Sequence, residues 1–393
     1  MDISHIERWL PEATVNYKDG RPAVGLGLII TVFFRDGHLP EVRRKMVECV
    51  DRFYAEFGSH LKKQMIERSS KITEKNYAKN RQEIIDSTPE ELINWHLMSA
   101  PELYLPSEYA ILIMGKRVFH NDNNRSLVKL TFPLDFLQQP DGAARYQDWL
   151  LWLCDTFAVE SGYGGLAFVL PQDFHRLFPH EYALAQRFSG VMVDSLGFLD
   201  GANAVEGVKG ACWYTVLGTP WLEKLGGEAR LRAKLSDTPE IDVLPYRHGV
   251  VIKAGETPPP LGEVRREGPP LLLVKVNQLI KPIRQDGHNG LHFYSMEEQH
   301  QFDKASSMAW YARFDEASAL LGTPDDGDEA YQAQRIQRRS GEVCPHAGRW
   351  GTLASGRLQY AALAEGQSMP DSEEGQPTVW SLLARDDGGS AFE

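Results

Sequence analysis

The segment Ala23 to Arg35, AVGLGLIITVFFR, limits the fold more than any other part of the chain. Its β-branched and aromatic residues, bounded by Arg21-Pro22 and Asp36-Gly37, predict a strand. The strand is apolar on both faces, which places it inside a sheet that is covered on both sides. Leu39 to Gly58 follows as a helix. Val42, Met46, Val50, Phe53 and Phe57 recur at steps of three and four, and Gly58 closes it. A strand followed by a packed helix opens an α/β or α+β layer.

Further elements extend this layer. Leu61 to Ser87 carries Lys62, Lys63, Lys71, Lys75, Lys79 and Arg81. Such a run is either a binding surface or the solvated face of a helix pair, and charge runs are usually the latter. Ser87-Thr88-Pro89-Glu90-Glu91 reads as a helix start, continued by Leu92, Trp95 and His96. Tyr104 to Lys116 and Ser126 to Phe132 are predicted strands, linked through the turn residues Asn121 to Asn124. Asp141 to Val159 is the clearest helix, with Tyr146, Trp149, Leu150, Leu153 and Phe157 as its apolar stripe. Ser161-Gly162 leads into a strand over Tyr163 to Leu170, and Asp173 to Phe188 is a helix. Ile241 to Leu244 and Gly249 to Ala254 are strand-like, and the proline-rich stretch Ala254 to Pro270 is a long loop. Leu271 to Ile283 and Leu291 to Ser295 are expected to pair as strands around the turn Arg284 to Gly290. Met296 to Leu321 reads as one helix, Gly341 to Leu383 as short strands, and Arg385 to Glu393 as a disordered tail.

The expected fold class is α+β: a mixed or antiparallel sheet with helices packed on it, plus a small C-terminal β module. The expected division is a main α+β domain over 1–295, a helix and linker over 296–340, and the β module with its tail over 341–393. A chain of 393 residues accommodates this, as about two domains or as one large domain with an appendage.

A formal net charge of −12 disfavours generic binding to nucleic acid or anionic membranes and suits a basic partner. Four cysteines, Cys49, Cys154, Cys212 and Cys344, stand far apart and form no CxxC pair, so reduced thiols are expected. The first twenty residues lack the apolar core of a secretory signal. No stretch offers the roughly 18 uninterrupted apolar residues of a membrane span. The expected location is therefore the cytoplasm.

Candidate chemistry is sparse. Cys344-Pro345-His346 places a thiol near an imidazole, but neighbours two apart demonstrate neither a base nor an oxyanion site, and zinc would need two more ligands. His288 and His292 are spaced like helical ligands yet flank the turn Asn289-Gly290. His180-Glu181 lacks the second histidine of HExxH. Ser161 to Gly165 is glycine-rich but is followed by a strand, without the Lys-Ser/Thr of a phosphate loop. No GxSxG elbow is present. The expectation is no catalytic site, no metal and no cofactor.

Val205 to Leu235 supplies a different kind of signal. Trp213, Leu217-Gly218, Leu222, Leu225-Gly226-Gly227, Leu231 and Leu235 read as a buried turn followed by two short helices. Thr219 is the expected N-cap, Pro220 the first helical residue and Gly226-Gly227 the stop. This run resembles the type VI immunity family of bacterial type VI secretion systems. A second pattern of that family follows in order at Ala254, Gly255 and Pro258, with Gly262-Glu263 shifted by one position and an apolar segment ending at Lys281-Pro282. The resemblance spans about residues 20–295. The pattern Gly341 to Pro345, Gly348, Trp350, then Gly366 to Pro370 and Val379-Trp380, resembles a C-terminal module of polymorphic-toxin immunity proteins.

The resemblance implies a protein that binds a cognate effector toxin and occludes its active site, with no enzymatic activity of its own. The acidic residues Asp325, Asp326, Asp328 and Glu329, and Asp371, Glu373 and Glu374, are the candidate contact surfaces. Two alternatives stay open at this stage. One is a hydrolase or transferase using Cys344, His346 or His292; the other is a secretion chaperone or adaptor.

Overall fold

The computed structural model describes residues 1–195, 197–292, 301–315, 336–354 and 357–387. In chain order the strands are β1 (Val15–Asn16), β2 (Pro22–Phe34), β3 (Lys63–Met65), β4 (Ser69–Lys71), β5 (Ile93–Met98), β6 (Ala110–Gly115), β7 (Ser126–Pro133), β8 (Ser161–Val169), β9 (Tyr214–Gly218), β10 (Ile241–Tyr246), β11 (Gly249–Ala254), β12 (Gln337–Arg339), β13 (Gly348–Ala354), β14 (Arg357–Leu363) and β15 (Val379–Arg385). Eleven of them form one sheet in the order β10-β11-β9-β8-β2-β7-β6-β5-β3-β4, with β1 beside the start of β2. Every neighbouring pair is antiparallel.

β2 lies in the middle of this sheet and is buried on both faces, as its composition demands. Successive side chains of a strand point to opposite faces, and the two sets enter two different cores. Leu28, Ile30, Val32 and Phe34 meet the helices Pro40–Phe57 and Gly142–Phe157 in the larger core, which also holds Phe53, Tyr146, Trp149 and Trp213. Ile29 and Phe33 face the second core, with Tyr163, Met192, Trp310 and Tyr311. The helix stripes predicted from three- and four-residue spacing are the buried faces: Met46, Val50, Phe53 and Phe57 in one helix, Tyr146, Trp149, Leu150, Leu153 and Phe157 in the other. Ser161 and Gly162, expected to lead into the strand, belong to β8 itself. A Cβ at Gly162 would lie 2.6 Å from the carbonyl oxygen of Thr31, so only glycine permits this strand spacing.

Three segments depart from the sequence reading. The expected helix through Leu92, Trp95 and His96 is strand β5. Ile93, Trp95 and Leu97 are buried while Asn94 and His96 are less so, a period of two. The charged stretch 61–87 is an edge hairpin, β3 and β4, followed by one helix, Glu74–Asp86, instead of a helix pair. The expected strand Leu271 to Ile283 is the helix Leu271–Ile280 followed by a 3₁₀ turn, Lys281–Ile283. This helix is buried nearly all round, Lys275 and Asn277 included, because it is enclosed on two sides, and a run without a solvated face carries no clear periodicity to separate helix from strand. Its expected partner over 291–295 lies largely outside the described residues, as do 296–300 and 316–321 of the helix expected at Met296 to Leu321. Within that region the helix is Lys304–Tyr311.

The stretch around Trp213 contributes β9 and then the helix Thr219–Lys224. The cap position is Gly218, one residue before the expected Thr219. Gly226 and Gly227 take positive φ, 91° and 86°, and end the helix as expected. The four C-terminal strands form a second sheet, in the order β12-β15-β13-β14, around Trp350, Trp380, Cys344 and Met369. It rests on the main body: Leu353, Tyr360 and Leu383 pack with Leu271 and Leu273, and Arg349 pairs with Glu240. Residues 388–393 of the expected tail lie outside the described residues.

Trp213 joins these layers. Its ring stacks on Tyr146 with centroids 5.6 Å apart, and its Nε1 donates to the Gly255 carbonyl at 3.0 Å. Trp213→Ala is expected to cost about 3–5 kcal/mol of stability, as the loss of a buried tryptophan typically does, measured by urea denaturation.

Candidate functional site

Of the acidic residues singled out in the sequence, Asp371, Glu373 and Glu374 are exposed on the loop between β14 and β15. The loop is pinned to the small sheet. Gln359 Oε1 accepts from the Glu373 backbone N–H at 2.8 Å, and Gln359 Nε2 donates to Glu374 at 3.1 Å. Trp380 Nε1 donates to the Pro370 carbonyl at 2.8 Å. Three carboxylates are thus brought together on an anchored loop. Asp325, Asp326, Asp328 and Glu329 lie outside the described residues.

The candidate catalytic residues do not assemble into a reacting site. Cys344 is buried and its Sγ approaches the His346 backbone carbonyl at 3.1 Å, so the contact between them does not involve the imidazole. His288 is held by Asp286 at 2.5 Å, and this hydrogen bond raises its pKa. His180 is exposed while its neighbour Glu181 points into the core. There Glu181 Oε2 accepts from Ser195 Oγ at 2.7 Å and lies 2.8 Å from His292 Nε2. His292 stacks on Phe178 with centroids 3.9 Å apart. These three residue types occur in hydrolytic triads, but there the imidazole must touch the hydroxyl in order to take its proton. Here the carboxylate separates them, so this order has no base on the serine. The trio is a buried polar fastening between the helix Phe178–Arg187 and the segment around 292.

A polar cluster that the sequence did not reveal lies beneath the second face of the sheet. Asp194 is fully buried and accepts from Thr31 Oγ1 at 2.9 Å and from the Tyr163 hydroxyl. Lys129 Nζ pairs with its carboxylate at 2.9 Å. Burial pushes the Asp194 pKa up, but Lys129, Lys209 and the Tyr163 hydroxyl outweigh it and hold the group below its ordinary value. Lys209 also binds Asp200 at 2.6 Å, and burial leads in pushing Asp200 up to about 6. Lys129, the lone charged residue of the strand SLVKLTFP, is the readable sign of such a partner.

Beside this cluster is a cavity of about 360 Å³, lined among others by Asn94, His96, Lys129, Gln172 and Asp194. His96 Nδ1 is 2.8 Å from Gln172 Oε1. That oxygen can only accept, so the ring proton sits on Nδ1. Burial drives the His96 pKa down to about 4, against the opposing effect of Gln172. The cluster supplies matched charges and a neutral imidazole, an arrangement that organises the core. Among the described residues no group of three His, Cys, Asp or Glu could hold a metal ion. No helix among them is long and apolar enough to cross a membrane.

The family described as type VI immunity for VRR-NUC, TsiV, matches residues 45–314, more than half of the chain. The chain belongs to this family. The TsiV match starts within the helix Pro40–Phe57 and ends at Phe314, so it covers β3 to β11 and leaves β1, β2 and the small C-terminal sheet outside. It also confirms the resemblance carried by the Trp213 to Leu235 run. A solved structure, the Pseudomonas aeruginosa T6SS protein PA0821, shares the fold. Its TM-score is 0.65 at 22% identity, over 77% of this chain and 87% of that one. None of the curated proteins matches.

The cavity histidine gives this TsiV chain a defined acid response. The folded-state pKa of His96 lies below the unfolded value, so the unfolded chain binds the extra proton first as pH falls. Its contribution to stability is complete above about pH 6.5 and is lost as pH falls toward 4. Unfolding free energies from urea titrations between pH 7 and 4 are expected to fall less steeply in His96→Gln than in the wild type, by up to about 3 kcal/mol over the window.

Proposed function

We propose that this chain neutralises a VRR-NUC effector by binding it one to one and covering the active site of that nuclease. Membership of the type VI immunity for VRR-NUC family carries the reading. Charge supports it. A nuclease needs a cationic surface to hold a phosphate backbone, and a chain of net charge −12 is complementary to such a surface. The carboxylates Asp371, Glu373 and Glu374 on their anchored loop contribute to this field, together with Asp325, Asp326, Asp328 and Glu329. Their role is to accelerate encounter, since charges at the rim of an interface act mainly on the association rate.

In this reading the chain is a stoichiometric binder with no turnover, cofactor or metal of its own. It acts in the cytoplasm, where a nuclease would meet the chromosome. Binding rests on the α+β domain of residues 1–295, and residues 341–393 form an appended module joined through 296–340.

Co-expression with the cognate VRR-NUC effector is expected to restore growth that the effector alone abolishes. With purified proteins, plasmid cleavage should decline linearly with added chain and end near one equivalent. Cleavage that persists in excess chain would reject the reading. Inhibition that leaves the nuclease able to bind DNA would reject occlusion while keeping neutralisation.

A further inference from the structure

One end of the large sheet carries an apolar knuckle that the core does not use. Phe119 is 60% exposed, and Val118 and Leu92 are each 41% exposed, the first two on a single 3₁₀ turn, Val118–His120. Lone exposed apolar residues need no explanation, but these belong to two segments held against each other. The Val118 N–H donates to the Pro89 carbonyl at 2.9 Å, joining the turn to the loop 87–92 that carries Leu92.

The loop 87–92 is clamped from below. Arg43 is completely buried, and its guanidinium donates to Ser87 Oγ at 2.6 Å, the Thr88 carbonyl at 2.5 Å and the Glu91 carbonyl at 2.8 Å. The side of the knuckle is fixed by a reciprocal pair. The Asp36 N–H donates to Asn121 Oδ1, and Asn121 Nδ2 donates back to Asp36 Oδ1, both at 2.8 Å. Asp36 holds φ at 62°, a left-handed conformation that costs a non-glycine residue energy and persists where its surroundings impose it. A surface loop with a buried arginine, a reciprocal amide pair and a strained aspartate is ordered before any partner arrives, which lowers the entropy lost on binding.

The rim is acidic. Glu90, Glu91 and Asp122 are exposed around the turn, with Arg117 as the cation on it. The Thr88 N–H donates to Glu91 and keeps its pKa below the ordinary value, so the carboxylate stays charged. An aromatic and aliphatic centre inside a charged rim is the anatomy of a binding hot spot. The family match gives the occupant. The knuckle and its clamp, apart from Asp36 and Arg43, fall within residues 45–314, whereas Asp371, Glu373 and Glu374 fall outside.

We infer that the Val118-Phe119 knuckle is the anchor that docks on the cationic surface of the VRR-NUC effector, a proposal that rests on the neutralisation reading above. Phe119 and Val118 fill an apolar recess of the nuclease, and Glu90 and Asp122 face its phosphate-binding cations.

The test measures binding of the purified VRR-NUC domain of the cognate effector to the full chain by biolayer interferometry. Val118→Ser/Phe119→Ser should lose about 100-fold in affinity, the size of a hot-spot loss, with an unchanged melting curve because both side chains are exposed. Glu90→Lys/Asp122→Lys should slow association at low salt and approach the wild-type rate at high salt. Asp371→Ala/Glu373→Ala/Glu374→Ala should stay within about threefold of wild-type affinity, as rim residues do. If the serine double variant binds within threefold of the wild type, the knuckle is not the anchor, and neutralisation stands on another surface. If the wild-type chain itself does not bind the nuclease, both proposals fall. Light scattering adds one more outcome. A wild-type dimer that the serine variant converts to monomer would assign the knuckle to a second copy of this chain and overturn the docking proposal.

Discussion

The whole architecture depends on burying β2 from both sides. A 13-residue strand with apolar residues on both faces cannot sit at the surface of a sheet. Leu28, Ile30, Val32 and Phe34 require one cover, and Ile29 and Phe33 require another. The two long helices after β2 and β7 supply the first. The second is assembled from distant parts of the chain, including the region of Met192 and the helix Lys304–Tyr311. One residue of β2 breaks the apolar pattern. Thr31 carries its hydroxyl into the second core, where an unpaired hydroxyl would cost roughly 1–3 kcal/mol. Asp194 accepts that hydroxyl, and a buried carboxylate needs more than one partner. Tyr163 and Lys129, from the two strands beside β2, complete the set. The charged cluster is therefore a consequence of where β2 lies, and its completeness matters more than any single bond in it.

Much of this was readable in the sequence wherever a period was present. The two long helices announce themselves because one face of each is wet, which leaves a 3.6-residue stripe. β2 announces itself through β-branched residues between turn signals. Sequence and structure part where the period is absent or overruled. Leu271–Ile280 lies between the large sheet and the small one, so no side is solvated and the run reads equally as a strand. Ile93–Met98 follows a sequence with every local mark of a helix start, Thr88-Pro89-Glu90-Glu91. Yet Glu91 folds back on the Thr88 N–H within a turn, and Arg43 holds the carbonyls of that turn. Tertiary contact there outweighs propensity differences of a few tenths of a kcal/mol per residue.

The functional residues were less readable for a related reason. The family was recognisable from Trp213 to Leu235 because that stretch is core, where spacing is dictated by packing. A binding surface has no period, and its residues come from separate segments. Val118 and Leu92 are 26 positions apart in numbering, and their segments are joined by the Val118 N–H donating to Pro89. Asp194 and Lys129 are likewise joined by the fold alone. Acidic runs in the sequence point to charge, and a net charge of −12 is distributed over much of the surface. Charge by itself does not locate an anchor.

Charge and anchor do different work in a neutralising complex. A diffuse negative field acts over about a Debye length, roughly 8 Å at physiological salt, so it raises the encounter rate with a cationic nuclease but confers little selectivity among nucleases. Selectivity requires a shape that fits one partner and excludes water from its contacts. A chain that relied on carboxylates alone would mimic nucleic acid and compete with it at a salt-dependent disadvantage. An ordered apolar projection does not compete on those terms, because its burial is insensitive to salt. The buried guanidinium of Arg43 commits three of its contacts to holding a surface loop, and its Nε reaches the Gly37 carbonyl at 3.4 Å, so one side chain ties that loop to the turn after β2. That expenditure of buried donors is explained if the loop's shape is what a partner reads.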